Sequence, residues 1–394
     1  MLRCASFSLL CHRRQDPCGI CHGCRTRCSL CCLVVKNSEA TNVTQRVFGE
    51  LSDGTIVKVI SLTNEYLRAE ILTRGGVLRS LQVNTSNGPV EVVLGLPDLA
   101  AYVADTDNLG ILVGRYGNRI AGAQYDHAGV RHQLDANEGR NHLHGGRHGF
   151  GRRLWTVLEQ TQHRLVLALT SPAGEGGYPG TLHVTAIFEL SGAALLLTYH
   201  ASTDAETPVN LTHHPYFNLA GDPHVPADRQ WLRVPASHFL PVDAELIPTG
   251  EVRDVTGGAF DFREAVEVRL RRTDEAQVTA SSGYDHCLVL DDDADCSAEL
   301  YSPHSGVAMR IASPMPALQF YEGQALDHSQ PQLGRGFCLE PQGFPDAPNH
   351  PQFPTAMLSP SQIYLHPIRY TFAHLDNASS WNEVMEELNA RAGT

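Results

Sequence analysis

The chain has 394 residues, of which 42% are apolar and 19% charged, and a formal net charge of −13. Such an excess of acid argues against a nucleic-acid partner, whose surface would need clustered lysine and arginine to release counterions. No apolar run approaches the ~20 residues that a membrane-spanning helix requires, so a membrane is not an expected partner either.

Residues 1–42 read as a separate, irregular extension rich in cysteine and arginine. Eight of the 11 cysteines lie between Cys4 and Cys32. In "CGICHGCRTRCSLCC", Cys18, Cys21, Cys24 and Cys28 have the spacing of a bacterial four-iron cluster motif, with Ser29 where a proline usually follows. Four thiolates would equally suit zinc. No apolar segment nearby could fold around either centre, so the expectation is a targeting or non-functional segment. No metal and no cofactor are expected. Cys287, Cys296 and Cys338 are too scattered for a disulfide framework, which suits a reducing compartment. The expected location is the cytoplasm, with organelle targeting by the extension left open. Asn42-Val-Thr44 and Asn84-Thr-Ser86 match the glycosylation sequon by pattern only.

From residue 43 to 374 the pattern predicts one strand-rich domain. "TIVKVISLTNEYLRAEIL" alternates apolar and polar positions and is rich in β-branched residues. "RLVLALTSP" and "LHVTAIFELSGAALLLTYHAST" predict long strands, the second folding back at Ser191-Gly192. "EVRLRRTD", "CLVLDDD", "AELYSPHSGVAMRIASP" and "LQFYEG" continue the series between Gly, Pro, Asp and Asn clusters. Strands do not alternate with amphipathic helices, so a doubly wound sheet is excluded in favour of an all-β fold of large antiparallel sheets. Residues 375–394 predict a helical tail, with Ser380 as cap, Glu383 completing a capping box, and Trp381, Val384, Met385 and Leu388 on one face.

Phosphate loops, dinucleotide fingerprints, H-E-x-x-H and the G-x-S-x-G elbow are all missing. Lys36 and Lys58 are the only lysines, so Schiff-base chemistry is poorly supplied. Chemistry must come from histidine, carboxylates, arginine and amides. Five segments concentrate these groups beside apolar runs: "GRYGNRIAGAQY", "NHLHGG", "NLTHHPYFNLAG", "GYDHCLVL" and "FCLEPQGFPDAPN". Loops on a rigid β scaffold are where sites are built. Singly, each has a bland reading: His142, His144, His213 and His214 as structural histidines, Asn118-Arg119 as a turn with a surface cation, Asp285 as a turn cap. Glu340 resists one. A carboxylate after Phe337, Cys338 and Leu339 and before Pro341 is expected to be buried, which is costly without donors around it.

These segments together with "QFYEG" resemble the aldose 1-epimerase (galactose mutarotase) family, in the family's order and over roughly residues 45–372. The resemblance implies a large antiparallel β-sandwich with an open cleft for a free monosaccharide. It implies mutarotation, the exchange of α and β anomers of an aldohexose such as glucose or galactose, without cofactor or metal. One group must take the anomeric hydroxyl proton while another protonates the ring oxygen. By the resemblance, Glu340 is the base and His214 the acid, and His144 orients the sugar near its ring oxygen. Asn118 and Arg119 match the family's Asn-Arg pair, Asp285 the aspartate that accepts from sugar hydroxyls, and Gln319 the glutamine near the base. From unperturbed values, Glu340 would be ionised and His214 a protonated donor after a small upward shift.

Two positions depart from the family pattern. Residue 213 is histidine where many members have asparagine, and Pro215 stands where serine or threonine is frequent. They leave open whether His213 tunes His214 or binds a hydroxyl, and Tyr216 and Phe217 read as wall or core. Two further readings are a non-catalytic sugar-binding module, which would need no Glu340–His214 pair, and a glycoside hydrolase using Glu340 and Asp285.

Overall fold

The computed structural model describes residues 44–272, 275–376, 378 and 380–392. The cysteine cluster and the Asn42 sequon motif lie outside the described residues.

Strands dominate, and they pair antiparallel. Thr44–Glu50, Ile56–Thr63, Leu67–Leu72, Leu78–Thr85 and Gly88–Glu91 form a five-stranded meander in chain order. The long alternating run at its start folds as two strands, because Asn64 Oδ1 accepts from the Tyr66 and Leu67 amides and turns the chain. The largest sheet has nine strands, with Leu182–Ser191, Ala194–Thr203 and Tyr364–His374 side by side in its middle. The hairpin between the first two turns at Gly192, where φ is 54°. A third sheet orders Arg253–Asp254, His238–Leu240, Asp285–Val289, Ala317–Tyr321 and Cys338–Gln342.

One continuous apolar core draws on all three sheets, including Ile60 and Leu62, Phe188 and Tyr370, and Leu318 and Phe320. Fully burying side chains of this size stabilises by about 1.5–3 kcal/mol each. The C-terminal helix, Trp381–Ala392, covers a smaller cluster. Its Val384 and Leu388 are buried with Tyr301, Ala308 and Ala373, and the Glu383 amide donates to Ser380 Oγ. Among the described residues no helix is long and apolar enough to cross a membrane.

The "EVRLRRTD" segment differs from its strand pattern. Only Val266–Glu267 pair in a sheet, and Val268–Arg271 turn into a short helix. The neighbouring strand, Trp231–Arg233, ends the ladder at Trp231↔Glu267, and the Val268 amide then donates to the Gln230 carbonyl. Without a partner strand, alternation alone does not hold a strand.

Several histidines sit inside this core. Burial lowers His213 and His286 to about 3 and His366 to about 4. A neutral buried histidine contributes stability above its unfolded value of 6.5, and that contribution is lost as pH falls through the folded value. We therefore expect the thermal midpoint to drop steadily between about pH 6.5 and 4. A midpoint that stays level across that range would contradict their burial in the neutral form.

Candidate active site

The third sheet places the site by alternation. Leu288, Leu318, Phe320 and Leu339 enter the core, so their neighbours Asp285, Gln319, Tyr321, Cys338 and Glu340 must emerge on the opposite face. Register aligns them: Gln319 is opposite Glu340, and Tyr321 lies between Asp285 and Cys338. Gln319 Nε2 donates to Asp285 Oδ1 at 2.6 Å. Glu340 is 2% exposed, and among the described residues its Oε2 and Gln319 Oε1 have no hydrogen-bond partner. Each such buried group costs about 1–3 kcal/mol, which a bound hydroxyl would offset.

His214 arrives from a different direction. Thr212–His213 pair with Leu112–Val113, which sends adjacent side chains to opposite sides. His213 enters the core, where its Nδ1 meets Tyr370 Oη at 3.1 Å and its ring lies edge-on to Phe188. It is fully buried and is not among the residues that line the cleft. His214 Nε2 lies 3.6 Å from Glu340 Oε1, and its Nδ1 is 3.5 Å from Cys338 Sγ. The next two aromatics divide the same way: Tyr216 lines the cleft and Phe217 is core.

His144 and the Asn118-Arg119 pair meet through a two-residue ladder in which Leu143 faces Arg119 and His142 faces Ile120. His142 is structural, its Nδ1 donating to the Asp135 carbonyl while its Nε2 accepts from Tyr178 Oη. His144 Nδ1 accepts from the Asn118 amide at 3.2 Å, so Nε2 carries the proton. The rings of His144 and His214 stand edge to face at 5.3 Å. Asn118 and His144 both adopt left-handed φ, 65° and 51°, a local strain that functional sites often retain. Gly145 must be glycine, since a Cβ there would collide with the Gly114 carbonyl. Below the loop, buried Arg115 makes five hydrogen bonds to Ser171, Pro172, Pro179 and Gly180. Asp346, from "FPDAPN", accepts from the Ala121 amide and so pins the other side.

Seven expected site residues, Asn118, Arg119, His144, His214, Asp285, Gln319 and Glu340, thus line one cleft of about 510 Å³. Three others that sequence reasoning passed over share its vicinity. Glu138 receives two hydrogen bonds from Arg119, Tyr321 forms wall, and Cys338 contacts His214. The positions of Tyr321 and Cys338 followed from alternation with Gln319 and Glu340. Glu138, in the turn "NEGRN", had no apolar neighbour to betray it.

Burial decides the electrostatics. It pushes the Glu340 carboxyl well above the ordinary carboxylate range, with the Asp285 charge adding to the effect. It pulls His214 down to about 4 and His144 well below the usual histidine value, the latter lowered further by the nearby Arg119 and by His214 whenever that ring is protonated. Asp285 is raised by burial and held back by Arg119 and Gln319. Unperturbed values suggest an ionised glutamate beside a protonated histidine; burial favours the reverse, a neutral pair with the proton on Glu340.

The family model described as aldose 1-epimerase matches residues 58–371. The chain is 37% identical to galactose mutarotase of Sus scrofa over 343 residues, covering 84% of this chain and 99% of that one. It is 32% identical to aldose 1-epimerase of Escherichia coli (strain K12) over 335 residues, covering 81% and 96%. A solved galactose 1-epimerase from Lactobacillus acidophilus NCFM superimposes with a TM-score of 0.76 at 27% identity, covering 85% of this chain and all of that one. An aldose epimerase homologue from C. elegans gives 0.75 at 27% identity, covering 81% and 99%. The chain belongs to the aldose 1-epimerase family, isomerases that act on carbohydrates.

Proposed function

We propose that this chain interconverts the α and β anomers of free aldohexoses such as glucose or galactose, and that Glu340 and His214 move the protons. The observation that carries the reading is the contact between Glu340 Oε1 and His214 Nε2, 3.6 Å apart in one cleft. The hydroxyl oxygen and ring oxygen of a hemiacetal share one carbon and lie closer together than that. Both groups can therefore reach both oxygens within hydrogen-bond range.

Ring opening needs one acceptor and one donor, so the pair must hold a single proton between them. With Glu340 as base it takes the anomeric proton while His214 protonates the ring oxygen. The C1–O5 bond breaks, an aldehyde forms, and rotation about C1–C2 precedes closure with the roles reversed. Whether the resting proton sits on oxygen or nitrogen does not change the net charge of the pair. His144 Nε2–H is suited to donate to the ring oxygen, and Arg119, Asn118, Asp285 and Gln319 to hold ring hydroxyls. That orientation lowers the barrier by removing rotational freedom in advance.

The sugar-binding and glycosidase readings draw no support from the relatives, whose names are those of epimerases. We take residues 43–374 as the working domain, 1–42 as a targeting or non-functional extension and 375–394 as a helical tail, with no nucleic-acid or membrane partner, in the cytoplasm unless the extension directs the chain to an organelle. The test is polarimetry of freshly dissolved α-D-glucose and α-D-galactose, with the full chain and one lacking residues 1–42. Both proteins are expected to speed relaxation equally. Relaxation no faster than in buffer would end the proposal for those sugars.

A further inference from the structure

Arg119 reaches the cleft already engaged. Its Nε and Nη2 each donate to one Glu138 oxygen at 2.7 Å, and Nη1 lies 3.7 Å from Asp285 Oδ2. Two carboxylates therefore surround one guanidinium that is 8% exposed. Glu138 itself is held by its backbone. Its amide donates to the Asn141 carbonyl, the Asn141 amide donates back, and Gly139 takes φ 56° between them. Asn141 is buried and ties this turn to both sides, accepting from the Gly122 amide and donating to Glu245. Glu138 also remains open to the cleft, its side chain 37% exposed.

We propose that Glu138 determines charge specificity in this cleft: by filling one edge of the Arg119 fork it positions the guanidinium for neutral hydroxyls and denies it to anionic sugars. The inference rests on the mutarotase reading of the same cleft. A guanidinium fork is the natural partner of a carboxylate or phosphate, which it grips with two parallel hydrogen bonds. With the Nε–Nη2 edge taken, an incoming anion would find a cation already neutralised and two acids beside it. Like charges brought together in a desolvated site repel strongly. Arg335, the other arginine on the cleft wall, is engaged by Asp327 and Glu322 and offers no alternative.

D-galactose and D-galacturonate make a suitable probe pair, since they differ only in a hydroxymethyl or carboxylate group on the ring. Anomer relaxation of each, near pH 7, is compared for the full chain and for Glu138→Gln, Glu138→Asp and Glu138→Ala. For Glu138→Gln the ratio of kcat/KM for galacturonate over galactose is expected to rise by about tenfold or more, chiefly through a lower KM for the anion. Galactose itself should show a raised KM with kcat less affected, because Arg119 loses its brace. Glu138→Asp, which keeps the charge, should restore the original ratio. A ratio within about twofold of the original in both Glu138→Gln and Glu138→Ala would overturn the inference. So would a Glu138→Asp ratio shifted as far as that of Glu138→Gln. Equilibrium binding of the two sugars by calorimetry gives the same ratio without turnover. A chain that binds both but relaxes neither would refute the mutarotase reading and leave the binding ratio to decide this one.

Discussion

Glu340→Gln is expected to lower kcat by about 10³-fold while leaving the protein folded and, at neutral pH, at least as stable. The amide keeps the shape of the side chain and removes its ability to accept a proton. The stability half follows from linkage. Burial raises the folded value of Glu340 well above 4.5, so its favourable contribution is complete below that value and is lost as pH rises through the folded one. Above the ordinary carboxylate range the wild-type chain bears the cost of a buried group that water would ionise, a cost that glutamine does not carry. Catalytic groups often oppose stability in this way. Steady-state relaxation and thermal melts at pH 5 and pH 8 check both halves. Full activity would move the base elsewhere, and a large drop in melting temperature at pH 8 would mean that the carboxylate is structural.

His214→Asn should cause a comparable loss, about 10²- to 10⁴-fold, together with a change in the pH profile. In the wild type the competent pair holds one proton, so activity should fall at low pH when a second arrives and at high pH when the shared one leaves. Burial moves those limits apart: His214 down to about 4, Glu340 up. The expected bell therefore has a broader plateau than free glutamate and histidine would give. His214→Asn should remove the acidic limb from residual activity, and Glu340→Gln the alkaline one. An unchanged acidic limb in His214→Asn would assign that proton to His144.

Much of this was legible from residue order alone, and the reason is geometric. The core residues Leu318, Phe320 and Leu339 alternate with Gln319, Tyr321 and Glu340, so once the strands are recognised, burial of one set projects the other onto the second face. Motif resemblance supplied the partners that periodicity could not bring together, since His214, His144 and Arg119 come from distant segments and meet only in the fold. Adjacent histidines were harder. His213 and His214 look equivalent in sequence, and only the short ladder to Leu112–Val113 separates core from cleft. The direction of the Glu340 and His214 shifts was also hidden, because it depends on burial from all sides rather than on neighbours in the chain. Glu138 lies in a turn that reads as ordinary surface, and its pairing with Arg119 depends on tertiary placement.

Glu340 stands within a five-stranded ladder, whereas Arg119 belongs to a two-residue ladder and His144 follows directly after its other strand. Under the proposed function, changes in the loops around the shorter ladder would alter how a sugar is held more readily than they would move Glu340. A single-residue slip in Cys338–Gln342 would do the opposite, ending catalysis and folding together.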